Sequence, residues 1–211
     1  MTAAHPLADE TDDGDATRAS SARATKRWLL ELLAIVLVGL VLSWGVRAFL
    51  VRSFSIPSGS MEQTLMIGDR ILVNELAPRV LPLHRGDVVV FEDPGGWLGY
   101  GDAAGQDLVK RVVGLPGDHV SCCDADGHVL VNGEPLDEPY LTLVDGGPRA
   151  SATDFDVTVP EGALWVLGDN RDRSADSRAH RTGPYEGFVP VDDVIGRAFV
   201  VAWPIDRWQR L

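Results

Sequence analysis

Residues Trp28 to Val46 form a nineteen-residue apolar run, opened by Lys26-Arg27 and closed by Arg47. At 1.5 Å per helical residue such a run is about 28 Å long, close to the hydrocarbon thickness of a bilayer. Glu31 lies one turn inside, near enough to the headgroups for its charge to stay hydrated. A buried core helix is a poor reading, because no helical register leaves a polar face. A cleaved signal peptide is the closer rival. Against it, the run exceeds an ordinary h-region and is followed by Arg47-Ala48-Phe49-Leu50-Val51-Arg52 where a small-residue cleavage site belongs. The sequence therefore predicts an uncleaved transmembrane anchor over residues 26–50. Arg18, Arg23, Lys26 and Arg27 precede the span and Arg47 and Arg52 follow it. That bias places the N-terminus in the cytoplasm and the body outside, in a single-pass protein of the plasma membrane.

On either side of the anchor the chain changes character. Residues 1–25 are rich in Ala, Thr, Asp and Ser without apolar periodicity and read as a disordered cytoplasmic tail. Residues 51–211 show no amphipathic helix, only short β-branched runs bounded by Gly, Pro, Asp and Asn: 70–76, 87–91, 108–113, 129–132, 155–159, 163–167 and 195–202. Asp126-Gly127 and Asn132-Gly133 are hairpin-type turn signals, and Asp93-Pro94-Gly95-Gly96 with 99–105 reads as a loop between strands. The fold class that follows is mostly β, an antiparallel body behind one N-terminal transmembrane helix. A net charge of -12 without a basic patch excludes nucleic acid as partner. Cys122 and Cys123 are adjacent, so they cannot staple distant parts of the fold, and the choice between two thiols and a vicinal bridge stays open. With His119 and His128 they match no common zinc spacing, so neither metal nor cofactor is expected.

A Ser-Gly-Ser in a loop is by itself an ordinary turn. In Ser58-Gly59-Ser60 the position is unusual, between a membrane-length segment and the first strands. A serine hydroxyl needs a base to become a nucleophile at neutral pH. Beyond the anchor His84, His119, His128 and His180 all sit in polar sequence. Lys110 instead lies in Leu108-Val109-Lys110-Arg111-Val112-Val113, where strand alternation lets it face inward while Arg111 meets solvent. Burial among Leu and Val disfavours the ammonium, and a fall of about two to three pKa units makes a lysine a usable base. In the polar segment 168–178, Ser174 is positioned to hydrogen-bond and aim the Lys110 amine, while Asp176 and Arg178 pair to brace the loop. A calcium loop fails there, because Arg171 falls at a ligand position and His180 replaces the bidentate Glu.

Phe54-Ser55-Ile56-Pro57-Ser58-Gly59-Ser60-Met61, Gly68-Asp69, Lys110-Arg111-Val112-Val113-Gly114-Leu115-Pro116-Gly117-Asp118, and Gly168-Asp169-Asn170-Arg171-Asp172 with Ser174, Asp176, Ser177 and Arg178 resemble, in order, the signature boxes of type I signal peptidases. The single anchor resembles the Gram-positive or actinobacterial form. The resemblance implies a signal-peptidase/LexA-like antiparallel β fold, with a smaller β subdomain at about 119–165. It implies a membrane-bound serine endopeptidase with Ser60 as nucleophile and Lys110 as general base. Ser58 would supply an oxyanion-hole hydroxyl beside the Ser60 N–H, and Ser174 would orient the lysine. The substrates would be secretory preproteins with small residues at the first and third positions before the cut. Shallow pockets for these would be lined by Ile56, Pro57, Met61, Leu65, Leu108 and Val109. Trp203, Ile205 and Trp208 would either meet the lipid bilayer or pack in the core. Gln63 stands where the family usually has Pro, and 179–186 is longer than the common form; both bear on loop geometry and not on the dyad. An inactive membrane-tethered peptide-binding module of the same fold is the alternative, although both dyad residues are present.

Overall fold

The computed structural model describes the backbone of residues 13–99, 107–141 and 149–211, and their side chains apart from those of 13–26 and 46–49. The loop expected over 99–105 thus lies, from residue 100, outside the described residues, as do residues 1–12 of the tail. The chain divides into two compact units, Met1–Ala48 and Phe49–Leu211.

The first unit is helical, α1 running from Asp13 to Phe49. Its stretch Arg27–Gly45 is long and apolar enough to cross a membrane. Composition reads 1–25 as disordered, yet 13–25 continue the helix. Nucleation is the costly step in helix formation, and a segment rich in Ala and free of Pro propagates cheaply from a helix already formed.

Among the described residues the second unit has twelve strands. They are β1 (Val51–Ser55), β2 (Arg70–Asn74), β3 (Val88–Phe91), β4 (Leu108–Gly114), β5 (His119–Cys122), β6 (Val129–Val131), β7 (Glu134–Pro135), β8 (Phe155–Thr158), β9 (Ala163–Leu167), β10 (Val189–Pro190), β11 (Val194–Trp203) and β12 (Gln209–Arg210). A large sheet has the order β1-β2-β11-β3-β4-β9-β10, with β12 on β11, and a small one the order β7-β6-β5-β8. Every pairing is antiparallel, so the expected mostly β fold is the one adopted. The Asn132-Gly133 turn joins β6 to β7 with φ of +53° and +85°, the pair of positive values that a two-residue hairpin turn demands.

Strand β4 lies between β3 and β9, with Lys110 opposite Val89 and Arg111 opposite both Val88 and Leu167. All of β4 belongs to the large sheet, Gly114 pairing with Trp165, and the turn 115–118 leads on to β5 of the small one. A Cβ at 114 would come within 2.7 Å of Val120 and 2.8 Å of Val159, so only glycine allows the two sheets to close at this corner. One apolar cluster fills the space between the small sheet and β9, around Val120, Val129, Phe155 and Trp165. A second lies under the turn that carries Ser60, around Met61, Leu65, Ile71 and Val201. Cys122 and Cys123 are joined as a vicinal disulfide at the end of β5. Trp203, Ile205 and Trp208 are exposed and take no part in the core.

Candidate active site

Ser60 sits in the 3-10 turn Gly59–Met61 that follows β1. Met61 and Leu65, at 1% and 0% exposure, pin this turn to the sheet below. Its backbone is tied from above, where the Asn170 N–H donates to the Ser60 carbonyl at 3.1 Å. Lys110 comes in from β4, 50 residues away, and its Nζ lies 3.0 Å from Ser60 Oγ. The same amine donates to the Val109 carbonyl at 3.1 Å.

Lys110 is 3% exposed. Removal from water disfavours its ammonium and brings the pKa down to about 8, against the opposing pull of the Asp176 and Asp169 carboxylates. About a tenth of the amine is then neutral at pH 7, against fewer than one in a thousand for a free lysine. Asp176 is wholly buried. Burial alone would raise its carboxyl. The Arg178 guanidinium and the Gly168 N–H overcome this and hold it below the ordinary value. The Arg178 pair is bidentate, with Nε and Nη2 each 2.8 Å from a carboxylate oxygen.

Several side chains stand elsewhere than the sequence suggests. Arg111 does not meet solvent: it is 8% exposed and makes a bidentate pair with Asp169 at 2.8 and 2.6 Å. The buried Asp169 carboxylate also accepts from Thr64 Oγ1 at 2.5 Å. Ser174 does not hydrogen-bond Lys110; its buried hydroxyl lies close enough to the Asp176 carboxylate to help hold that group below its ordinary value. Its Oγ lies against Gly168, where a Cβ would meet it at 2.2 Å and the Ser60 carbonyl at 2.5 Å. The lysine's second bond goes to its own strand instead. Met61 and Leu65 are buried and pack in the cluster under the Ser60 turn. Leu108 packs in a separate cluster with Val89, Phe91 and Val112. Ile56 is 4% exposed and joins the cluster under the turn, whereas Pro57 and Val109 keep accessible surface. Ser58 is exposed and its hydroxyl does not cap the turn.

Each of the four histidines of the body is engaged away from Ser60. His84 lies beside Asp87, His119 bonds Asp156 and His128 bonds Asp124. His180 bonds the Asp176 carbonyl and stacks on Trp97 at 4.4 Å. Sequence reasoning missed Asp169, Asn170, Glu138 and Tyr140 as parts of the site. For Asp169 a signal existed, since a carboxylate in a run flanked by buried strands needs a cation.

A family model described as signal peptidase, peptidase S26, matches residues 27–203. A signal peptidase I of Mycobacterium tuberculosis (strain CDC 1551 / Oshkosh) is 37% identical, over 97% of this chain and 83% of that protein. A probable signal peptidase I of Mycobacterium leprae (strain TN) is 38% identical over 86% and 78%. The solved signal peptidase I of Enterococcus faecalis V583 aligns with a TM-score of 0.41 at 33% identity, covering 55% of this chain and 95% of that one. A buried lysine at hydrogen-bond distance from a serine thus occurs in a chain that the Mycobacterium tuberculosis peptidase matches over 97% of its length and the family model over residues 27–203, and the chain belongs to the signal peptidase family, peptidase S26.

Proposed function

We propose that this peptidase removes signal peptides from secretory preproteins by a Ser-Lys dyad, with Ser60 as nucleophile and Lys110 as general base. The observation that carries the reading is the buried Lys110 Nζ at 3.0 Å from Ser60 Oγ. In its neutral form the amine takes the hydroxyl proton as Oγ attacks the scissile carbonyl carbon. The tetrahedral oxyanion is met by the Ser60 N–H and by the hydroxyl of exposed Ser58, donors of the kind worth about 3–4 kcal/mol in the transition state. The Lys110 ammonium then gives its proton to the departing amine, which leaves the acyl group on Ser60. Lys110, neutral again, takes a proton from the water that attacks this ester and returns it to Ser60 Oγ as the acyl–oxygen bond breaks, so that the free serine and the neutral lysine are restored.

The substrate segment lies extended beside the turn, with its main chain recognised by hydrogen bonds and its side chains by shallow surfaces at Pro57 and Val109. Ile56, Met61 and Leu65 pack directly beneath these surfaces. Small residues at the first and third positions before the cut fit such surfaces. The Arg27–Gly45 helix anchors the protein in the plasma membrane with the N-terminus cytoplasmic and the catalytic body outside. Exposed Trp203, Ile205 and Trp208 settle at the interface of the lipid bilayer, where Trp is favoured.

The test is cleavage of a peptide carrying Ala-x-Ala by the full chain in detergent. Cutting after the second Ala is expected. Leu in place of either Ala is expected to lower kcat/KM by about 100-fold. Equal cleavage of the Leu peptides would contradict the small-residue preference. Binding without cleavage would return the protein to an inactive peptide-binding module.

A further inference from the structure

Arg171 and Arg178 of the loop 168–178, and Arg111 of β4 beside it, are each in contact with residues from 136–141 or 149–151. Arg111 lies 3.8 Å from the centre of the Tyr140 ring. Arg178 Nη1 donates to Ser151 Oγ at 3.0 Å. Arg171 donates to the Ala150 carbonyl at 2.9 Å and, through both Nη atoms, to the Glu138 carboxylate. The Glu138 and Arg171 side chains are 4% and 1% exposed. Glu138 also accepts from Tyr140 Oη at 3.2 Å. Ions this deep are tolerated only when paired and hydrogen-bonded, so removing one leaves its partner uncompensated.

What Arg171 does with its remaining donor gives the pair a role beyond holding two segments together. Its Nε donates to the Gly168 carbonyl at 3.0 Å. The Gly168 N–H donates to Asp176, one of the two carboxylates that face Lys110. Two residues on, the Asn170 N–H holds the Ser60 carbonyl. The geometry points to Glu138 as a positioning residue for the reaction: acting through Arg171, it fixes the backbone 168–170 that sets the nucleophile's peptide against Lys110. This rests on the Ser-Lys reading proposed above.

The experiment measures kcat and KM separately for the full chain on the Ala-x-Ala peptide, at a temperature where circular dichroism shows each variant folded. For Glu138→Ala, kcat is expected to fall about 100-fold, the usual result of an ångström-scale misplacement, with KM changed less than about twofold. Glu138→Gln keeps the shape and one acceptor and is expected to lose about tenfold; it decides the matter if the Ala variant does not fold. Glu138→Ala combined with Arg171→Ala is expected to be no worse than Arg171→Ala alone, because Glu138 acts through that arginine. A purely structural tie would lower the melting temperature and leave kcat of the folded variants unchanged. A kcat within about twofold of the parent in both Glu138 variants, or additive losses in the double variant, would overturn the proposal. Ser60→Ala is measured beside them: activity surviving there sinks the dyad reading by itself, whatever the Glu138 variants show.

Discussion

Replacing Lys110 by Ala is expected to lower kcat/KM roughly ten-thousand-fold or more, and Ser60→Ala to do the same, with the double variant hardly worse than either. The two side chains act as one unit at 3.0 Å, so the loss of either removes most of what the pair contributes. Lys110→Arg is expected to fail as well, since a guanidinium cannot give up its proton at any working pH. Lys110→Met separates chemistry from folding. At pH 7 the buried ammonium costs about 3 kcal/mol, the equivalent of a pKa held near 8 in place of 10.5. An apolar side chain of similar length relieves this, so the inactive Met variant is expected to be the more stable protein. Its advantage has a definite pH window. Between about pH 8 and 10.5 the unfolded chain keeps its Lys110 proton while the folded one releases it, so parental stability rises with pH and the gap closes. Denaturant midpoints at pH 7 and pH 10 measure this. A Met variant less stable than the parent at pH 7 would mean that the lysine is not desolvated.

Asp169→Ala carries the largest expected stability loss, about 3–5 kcal/mol. The Asp169 side chain is fully buried and Arg111 nearly so, and their two hydrogen bonds cross from the loop 168–178 to the strand that bears Lys110. Without the carboxylate, Arg111 keeps the Gly86 carbonyl and the face of Tyr140 but has no counter-charge at that point. Thr64 Oγ1 loses its acceptor as well. Because Asp169 is one of the charges that favour protonated Lys110, the variant's rising pH limb is expected to move to lower pH. Urea unfolding with unchanged slope and a lower midpoint checks the first effect. A loss under about 1 kcal/mol would show that the pair is no stronger than a surface salt bridge.

Most strands were legible because β-branched runs between turn residues leave little choice: 108–113 reads as a strand and β4 is Leu108–Gly114, and 195–202 reads as one and β11 is Val194–Trp203. Strand β1 was not, because Val51-Arg52-Ser53-Phe54-Ser55 has no apolar alternation and owes its conformation to pairing with β2. Lys110 was legible from its apolar neighbours. The fate of Arg111 was not, since its partner lies 58 residues away and alternation alone sends every second residue to solvent. Glu138 in Leu136-Asp137-Glu138-Pro139 looks like part of a solvated turn, and only the folded chain brings Arg171, 33 residues on, to its carboxylate. Ser174 was legible as a hydroxyl near the site, and it lies against Gly168 beside the Ser60 carbonyl, though without a hydrogen bond to Lys110.

The identity of the base is tested most directly by the pH dependence of kcat/KM on the Ala-x-Ala peptide, measured for the parent and for a variant in which His84, His119, His128 and His180 are all replaced. A Lys110 base predicts a rate that rises with pH through an apparent pKa of about 8, with the same limb and most of the activity kept in the four-histidine variant. A limb near 6.5, lost together with the activity when the histidines are replaced, would contradict it and assign the proton transfer to an imidazole.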